Sequence, residues 1–439
     1  MNTITVDFTA PAGRIKPMHA VNNGPLKYRE DQTRHNYNTY KEARIPFARN
    51  HDAAFCAAYG GSHTVDINAI FPDFSADPYD PASYDFVLTD EYLERTMSCG
   101  TEIFYRLGSK IEHDIKKYGT LPPPDFKKWA VICEHIIRHM NEGWANGHHW
   151  SILYWEIWNE PDLDPDDSDN KRCWGGTRAQ FFELYEIAAR HLKECFPNLK
   201  IGGPALAGNY GWADAFLKYM SEHGIALDFF SWHIYCTTPE AMNERIHAYR
   251  SLLDRHGYTE TESILNEWNY VRGWSDEFIY SIKTIIGIKG AAFTASCILD
   301  AQNAPLDMLM YYDARPGVFN GLWDIYTMEP LKGYYPFVMF SELYGIGSAV
   351  RVDNTADKLR AAAAGDTTKQ AVMLSHYNDD DSSSAPEEFE LVLNGALSDR
   401  VSVEVVDETR TMEKTEYVLD NGRITLSMPK NSFLLVKSV

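Results

Sequence analysis

The chain has 439 residues, of which 44% are hydrophobic and 23% charged, and its formal net charge is −21. That length exceeds one ordinary domain and suits a large barrel plus a smaller module, with enough core to need no staples. The acidic balance excludes nucleic acid and anionic membranes as partners, because both require basic patches.

Residues 1–12 open with a short strand, 3–9, closed by Pro11-Ala12-Gly13 and expected to join a sheet formed later in the chain. The start, Met1-Asn2-Thr3-Ile4-Thr5-Val6-Asp7, has no basic region followed by an apolar run. No signal peptide is read there, and a cytoplasmic location is expected. No later stretch is long and apolar enough to span a membrane.

Residues 13–347 alternate short apolar strands with amphipathic helices, the pattern of a parallel sheet with crossover helices. Eight strands are expected, at 14–20, 44–49, 101–107, 151–158, 200–205, 229–235, 263–267 and 308–312. A helix is expected from Asp125 to Glu142, after Pro122-Pro123-Pro124, and another from Thr177 to Glu194 with Thr177 as cap. Eight such units close most economically into a (β/α)₈ TIM barrel, an α/β fold.

Residues 348–439 change texture. Short alternating strands at 369–376, 389–393, 401–407, 423–427 and 432–436, with turns such as Asp420-Asn421-Gly422, predict a C-terminal β-sandwich. The acidic, Ser-rich stretch 379–388 reads as a solvated loop within it.

In a barrel, catalytic groups sit at the C-terminal ends of the strands. Strand four ends Trp155-Glu156-Ile157-Trp158-Asn159-Glu160-Pro161-Asp162, and strand alternation gives Glu156, Trp158 and Glu160 one parity. With that face inward, Glu160 stands at the mouth and Glu156 lies deeper, expected to neutralise a buried arginine such as Arg106. Strand seven ends Ile264-Leu265-Asn266-Glu267-Trp268-Asn269 and sets Glu267 at the same rim. Two carboxylates facing a sugar are what glycoside hydrolysis requires: one protonates the leaving oxygen, the other attacks the anomeric carbon or activates water. Eleven tryptophans and 26 tyrosines are a generous supply of sugar-stacking planes, although large cores use them too.

The string from Tyr154 to Leu163 resembles glycoside hydrolase clan A, and the chain is most similar to family 39, the family of β-xylosidases and α-L-iduronidases. Gly119-Thr120-Leu121-Pro122-Pro123-Pro124-Asp125-Phe126-Lys127-Lys128-Trp129, Ile201-Gly202-Gly203-Pro204-Ala205, Trp232-His233-Ile234-Tyr235 and Arg49-Asn50-His51 carry the same resemblance. It implies a retaining, exo-acting hydrolase of short oligosaccharides, with Glu160 as acid/base and Glu267 as nucleophile. An arabinosidase of the same clan and a non-catalytic carbohydrate-binding protein are the alternatives. It further implies that Asn159 bonds the sugar 2-hydroxyl, that Tyr235 donates toward Glu267, and that Arg49 and His51 lie near the floor of the subsite for the non-reducing sugar, with His233 a further substrate-binding candidate. Arg49 is expected to keep Glu267 ionised while a drier setting raises Glu160. Trp323 is a further substrate-binding candidate, as an aromatic wall, with ordinary packing as its alternative. The chain departs from the family pattern at Asn50 and Asp52, and at Met18-His19-Ala20-Val21-Asn22-Asn23.

No cofactor or metal is expected. Cys56, Cys99, Cys133, Cys173, Cys195, Cys236 and Cys297 are odd in number and lack paired spacing, which reads as reduced thiols. His135 and His139 follow Glu134 at helical spacing, but Ile136 stands where a zinc protease needs glutamate, so they read as a solvated helix face. Asp164, Asp166, Ser168 and Asn170 alternate like a calcium loop but have Asp169 at the glycine position. An oligosaccharide is the expected partner, and a homo-oligomer is compatible with these features.

Overall fold

The computed structural model describes residues 2–26, 35–51 and 65–439, so Asp52 and Cys56 lie outside the described residues. After β1 (Asn2–Arg14) come β2 (Ala20–Asn22), α1 (Tyr37–Glu42), β3 (Phe47–Asn50), α2 (Ile67–Ile70), α3 (Val87–Ser98), β4 (Glu102–Leu107), α4 (Phe126–Glu142) and β5 (Tyr154–Ile157). There follow α5 (Arg178–Cys195), β6 (Lys200–Leu206), α6 (Tyr210–Glu222), β7 (Phe229–Cys236), α7 (Pro239–Arg255), β8 (Glu262–Tyr270), α8 (Phe278–Ile285), α9 (Ile288–Asn303), β9 (Met308–Tyr311) and α10 (Tyr335–Ile346). Strands β2 to β9 are parallel neighbours in sequence order, and β2 pairs with β9 to close the barrel.

Two helices form where their caps direct. The Asp125 side chain accepts from the Lys127 and Lys128 amides and starts α4. Thr177 and Gln180 form a reciprocal capping box at α5. Helix α9 is buried nearly all round, as a helix apolar on every face must be. It lies between the barrel and the second sheet. Among the described residues no single helix is long and apolar enough to cross a membrane.

The second module has β10 (Ser348–Asn354), β11 (Leu359–Gly365), β12 (Gln370–His376), β13 (Glu387–Asn394), β14 (Arg400–Val406), β15 (Glu413–Val418), β16 (Arg423–Met428) and β17 (Ser432–Ser438). With β1 they make a nine-stranded sheet in the order β15-β14-β17-β12-β11-β10-β1-β13-β16. Only β1 and β13 run parallel; the other pairs are antiparallel. Strand alternation separates two cores on β12: Val372 and Leu374 face the module's own core, while Ala371 and Met373 join the barrel's.

The first barrel strand is Ala20–Asn22, not 14–20 as the sequence suggested. Pro17 has no donor for a ladder. Arg14 still belongs to β1, which continues past Pro11 through register shifts. Between them Lys16 Nζ ties the entry to the end of α9, donating to the carbonyls of Ala301, Ala304 and Leu306 at 3.1, 2.7 and 2.8 Å.

The barrel is a packed core, not a pore. Ala20, Phe104, Tyr154, Phe229, Ile264, Met308 and Met310 fill its lower interior. Polar side chains above that apolar plug are desolvated from below and exposed only toward the mouth.

Candidate active site

Strand β5 ends at Ile157, and the next turn leaves extended geometry: Trp158 has φ 76° and Glu160 φ 47°. These left-handed values break the alternation, which corrects the expectation that Glu156, Trp158 and Glu160 share a face. Glu156 points into the barrel. Trp158 turns outward onto Trp129 and Trp174, and its Nε1 donates to the Cys173 carbonyl at 2.8 Å. Such backbone costs on the order of 1–3 kcal/mol per residue and persists where the surroundings over-determine it. Here Gly108, itself at φ +140°, leaves the room: a Cβ there would lie 3.2 Å from the Trp158 Cα.

Strand β8 uses a bulge for a similar end. Its register with β7 shifts between the pairs Trp232–Leu265 and His233–Glu267, leaving Asn266 as the extra residue. Ile264 faces the apolar plug, and Asn266 donates inward to Glu156 Oε1. The bulge then turns Glu267 inward as well, whereas plain alternation would point it out.

One arginine ties these residues together. Arg49 at the end of β3 is fully buried and donates through Nε to Glu156 Oε2 at 2.7 Å. Its Nη1 donates to Asn22 Oδ1 at 3.1 Å and Glu267 Oε2 at 3.3 Å, and its Nη2 to Asn159 Oδ1 at 2.6 Å. Glu156 also accepts from Ser231 Oγ at 2.6 Å. The expected partner of Glu156, Arg106, pairs instead with Asp66 at 2.6 Å, although Arg106 and Glu156 are register neighbours. Glu156→Ala would leave Arg49 buried without its nearest carboxylate partner. We expect a loss of roughly 3–5 kcal/mol in urea unfolding; a loss below about 1 kcal/mol would show that Glu156 does not neutralise this cation.

Above this layer stand the two mouth carboxylates. His233 Nδ1 is 2.8 Å from Glu160 Oε1 and 3.6 Å from Glu267 Oε2. Tyr235 donates its hydroxyl to Glu267 Oε1 at 2.6 Å. One ligand-capable atom from each of Glu160, His233 and Glu267 lies within 4.8 Å of the other two, so the carboxylates approach oxygen to oxygen to that distance or less.

The electrostatics depart from expectation. Burial pushes Glu267 up to about 7, and the Glu160 carboxylate adds to this. His233, Arg49 and the Tyr235 hydroxyl oppose that rise without cancelling it. The same burial drives His233 down to about 4, so its ring is neutral near pH 7. Burial also holds His51 well below its ordinary range. Asp162, next after Pro161, is raised to about 7 by burial and accepts from the Ala207 and Asn209 amides at 2.7 and 2.9 Å. It fixes the loop after β6, and the Glu160 charge adds to its rise.

Glu160, Glu267, His233, Tyr235 and His51 line one cavity of about 680 Å³. Arg49 and Asn159 are not in its lining, but Arg49 bonds both Glu267, which is, and Asn159. Trp323 is not in its lining. That indole is wholly buried, stacked on Tyr40 with centroids 5.8 Å apart, and bonded to Thr39 Oγ1 at 2.8 Å. The aromatic wall comes instead from Trp274, Phe278, Tyr312 and Phe319, with Arg172 and Arg245 among the other lining residues. Trp274 is 62% exposed, and its ring meets Tyr235 edge-on at 5.0 Å. Sequence reading also missed Cys173, whose Sγ lies 3.8 Å from Glu160 Oε2. The calcium-like loop is committed to protein partners: Asp164 pairs with Arg172, and Asp166 caps the Arg178 amide.

Residues 62–267 match the model of glycosyl hydrolases family 39. That match covers 206 residues, a little under half of the chain. The match ends at Glu267 and takes in the whole of β4 to β7. Over 173 residues the chain is 27% identical to a β-xylosidase of Geobacillus stearothermophilus, covering 35% of this chain and 33% of that protein. The matched region thus spans about a third of the length of the curated relatives. Two solved structures share the fold over the whole chain. A glucosidase from Croceicoccus marinus has a TM-score of 0.80 at 21% identity, covering 100% of this chain and 98% of its own. A family 39 β-xylosidase from Caulobacter crescentus has a TM-score of 0.71 at 18% identity, covering 100% of both. The resemblance read from Tyr154 to Leu163 and its companion motifs is to the same family as this match.

Proposed function

We propose that this family 39 protein is a retaining glycoside hydrolase that removes a sugar from the non-reducing end of short β-xylosides. The observation that carries the reading is the approach of the Glu160 and Glu267 oxygens to 4.8 Å or less. Retention needs carboxyl groups about 5–5.5 Å apart, whereas inversion needs about 6.5–9.5 Å to seat a water. Glu160 protonates the leaving glycosidic oxygen as Glu267 attacks the anomeric carbon, and the sugar becomes an ester of Glu267. Water then attacks that carbon, giving its proton to Glu160 and releasing Glu267. His233 steadies Glu160 through Nδ1, and neutral imidazole does so without fixing a charge beside the proton being moved. Trp274 offers an exposed plane for the apolar face of a sugar. A cavity of about 680 Å³ is of a size to hold one small ligand. The β-xyloside preference rests on the relative from Geobacillus stearothermophilus.

The test is a panel of 4-nitrophenyl glycosides: β-D-xyloside, α-L-arabinofuranoside and β-D-glucoside. Highest kcat/KM on the β-xyloside supports the reading. Preference for the arabinofuranoside reassigns the sugar but keeps the chemistry, and turnover of none contradicts it.

The raised Glu267 sets a pH expectation. A nucleophile must be ionised, so in the free enzyme kcat/KM rises as pH climbs through the value of Glu267, about 7. The Tyr235 hydrogen bond favours the ionised form. Tyr235→Phe should therefore move the acid limb of kcat/KM to higher pH. A limb that stays put or moves down would show that Tyr235 does not tune Glu267.

A further inference from the structure

Three side chains outside this site form an unused donor set: Asp90 on α3, His139 on α4, and His148 in the segment after α4. Sequence reading placed His135 and His139 on a solvated face, but both are buried. The His139 ring lies flat on Phe86 at 3.5 Å, and the His148 ring flat on Trp150 at 3.7 Å. The two imidazoles are perpendicular, with centroids 5.5 Å apart. Stacking fixes both rings, so their nitrogens are aimed and not wandering.

The aim is informative. His139 Nδ1 sits 2.9 Å from the Trp144 carbonyl oxygen, which only accepts, so Nδ1 carries the proton. In the neutral ring Nε2 then turns a lone pair toward both Asp90 oxygens, at 3.2 and 3.1 Å. His148 Nε2 approaches the same carboxylate at 3.2 Å. Acceptors converging on a carboxylate repel unless a proton or a metal cation lies among them. Two ligands about 2.0–2.1 Å from a tetrahedral zinc ion stand roughly 3.3–3.4 Å apart, close to these separations. One donor atom from each residue lies within 4.8 Å of the others. The bond from Nδ1 to a backbone carbonyl is the outer contact that metal-binding histidines characteristically make. Asp90 and His148 side chains are 25% and 30% exposed, which leaves an entry path.

We propose that Asp90, His139 and His148 bind a divalent transition ion, with Zn²⁺ the best match and water as fourth ligand. The ion would pin residues 144–150 to α3. A second cluster, Glu134, His191 and Cys195, is the poorer candidate. Arg138 already neutralises Glu134 at 2.7 Å, and burial and nearby carboxylates disfavour the Cys195 thiolate.

The test uses the full chain, stripped with EDTA and dialysed against Zn²⁺, with bound zinc read by mass spectrometry of the metal. One zinc per chain is expected. At free Zn²⁺ of about 100 times Kd the folding constant should rise about 100-fold, seen as a higher Tm. Asp90→Asn and His148→Ala, checked as folded by near-ultraviolet circular dichroism, should lose both the ion and the shift. His191→Ala and Glu160→Gln should keep them. Zinc-free wild-type protein would overturn the proposal and leave a plain histidinium–aspartate contact. Retention by Asp90→Asn and His148→Ala, or loss by His191→Ala or Glu160→Gln, would overturn it too. None of these readouts depends on glycosidase activity.

Discussion

Glu267→Ala should abolish turnover of every glycoside, lowering kcat by a factor on the order of 10⁵. Without that carboxylate no glycosyl-enzyme ester can form, and no other carboxylate replaces it: Glu156 is fully buried below, held by Arg49, Ser231 and Asn266. The loss should be the same for good and poor leaving groups, because attack at the anomeric carbon is missing in both. Binding should largely survive, since the rest of the cavity lining, including Trp274, Phe278, Tyr312 and Phe319, is unchanged. A residual kcat within about tenfold of wild type would remove Glu267 from the role of nucleophile.

Glu160→Ala should behave differently, and the difference assigns the roles. With natural oligosaccharides the leaving oxygen must be protonated, so kcat/KM should fall by about 10²–10⁴. A nitrophenolate departs unprotonated, so the ester on Glu267 should still form from a 4-nitrophenyl glycoside. Water then lacks its base and the ester accumulates, giving a burst of nitrophenolate followed by a slow steady state. Azide needs no base, so it should restore turnover and yield a glycosyl azide of retained configuration. With Glu267→Ala, azide attacks directly and gives the inverted product. The reverse pattern would exchange the two roles.

The sequence made some of this legible and hid the rest for physical reasons. The two glutamates could be found because barrel chemistry gathers at strand ends and both strands carry recognisable apolar runs. The caps of α4 and α5 are local, so Asp125 and Thr177 could be read from their neighbours. Strand β11 went unread: Leu359-Arg360-Ala361-Ala362-Ala363-Ala364-Gly365 has helical propensity, and only pairing with β12 makes it a strand. Strand β15 is largely exposed and pairs on one side with β14, so it shows no buried face. Strand β2 is three residues long, too short for any periodicity to show.

The site's finer geometry is non-local. Arg49 meets Glu156 across 107 positions in sequence, and no spacing announces that choice over Arg106. The turn at Trp158 and the bulge at Asn266 each break strand parity where the carboxylates emerge, so parity misplaced Trp158 and would have misplaced Glu267. Trp323 stayed open between wall and packing, because an aromatic after the last strand looks the same in either role; the structure gives the packed one. Trp274 and Phe319 took the wall from loops without periodicity.

Double displacement by Glu160 and Glu267 leaves a stereochemical signature. The most direct measurement is proton NMR of the sugar first released from a β-glycoside, recorded before mutarotation. With double displacement the β-anomer appears first, and the α-anomer grows in only as the sugar equilibrates. First appearance of the α-anomer would mean single displacement and inversion, and would rule out Glu267 as nucleophile.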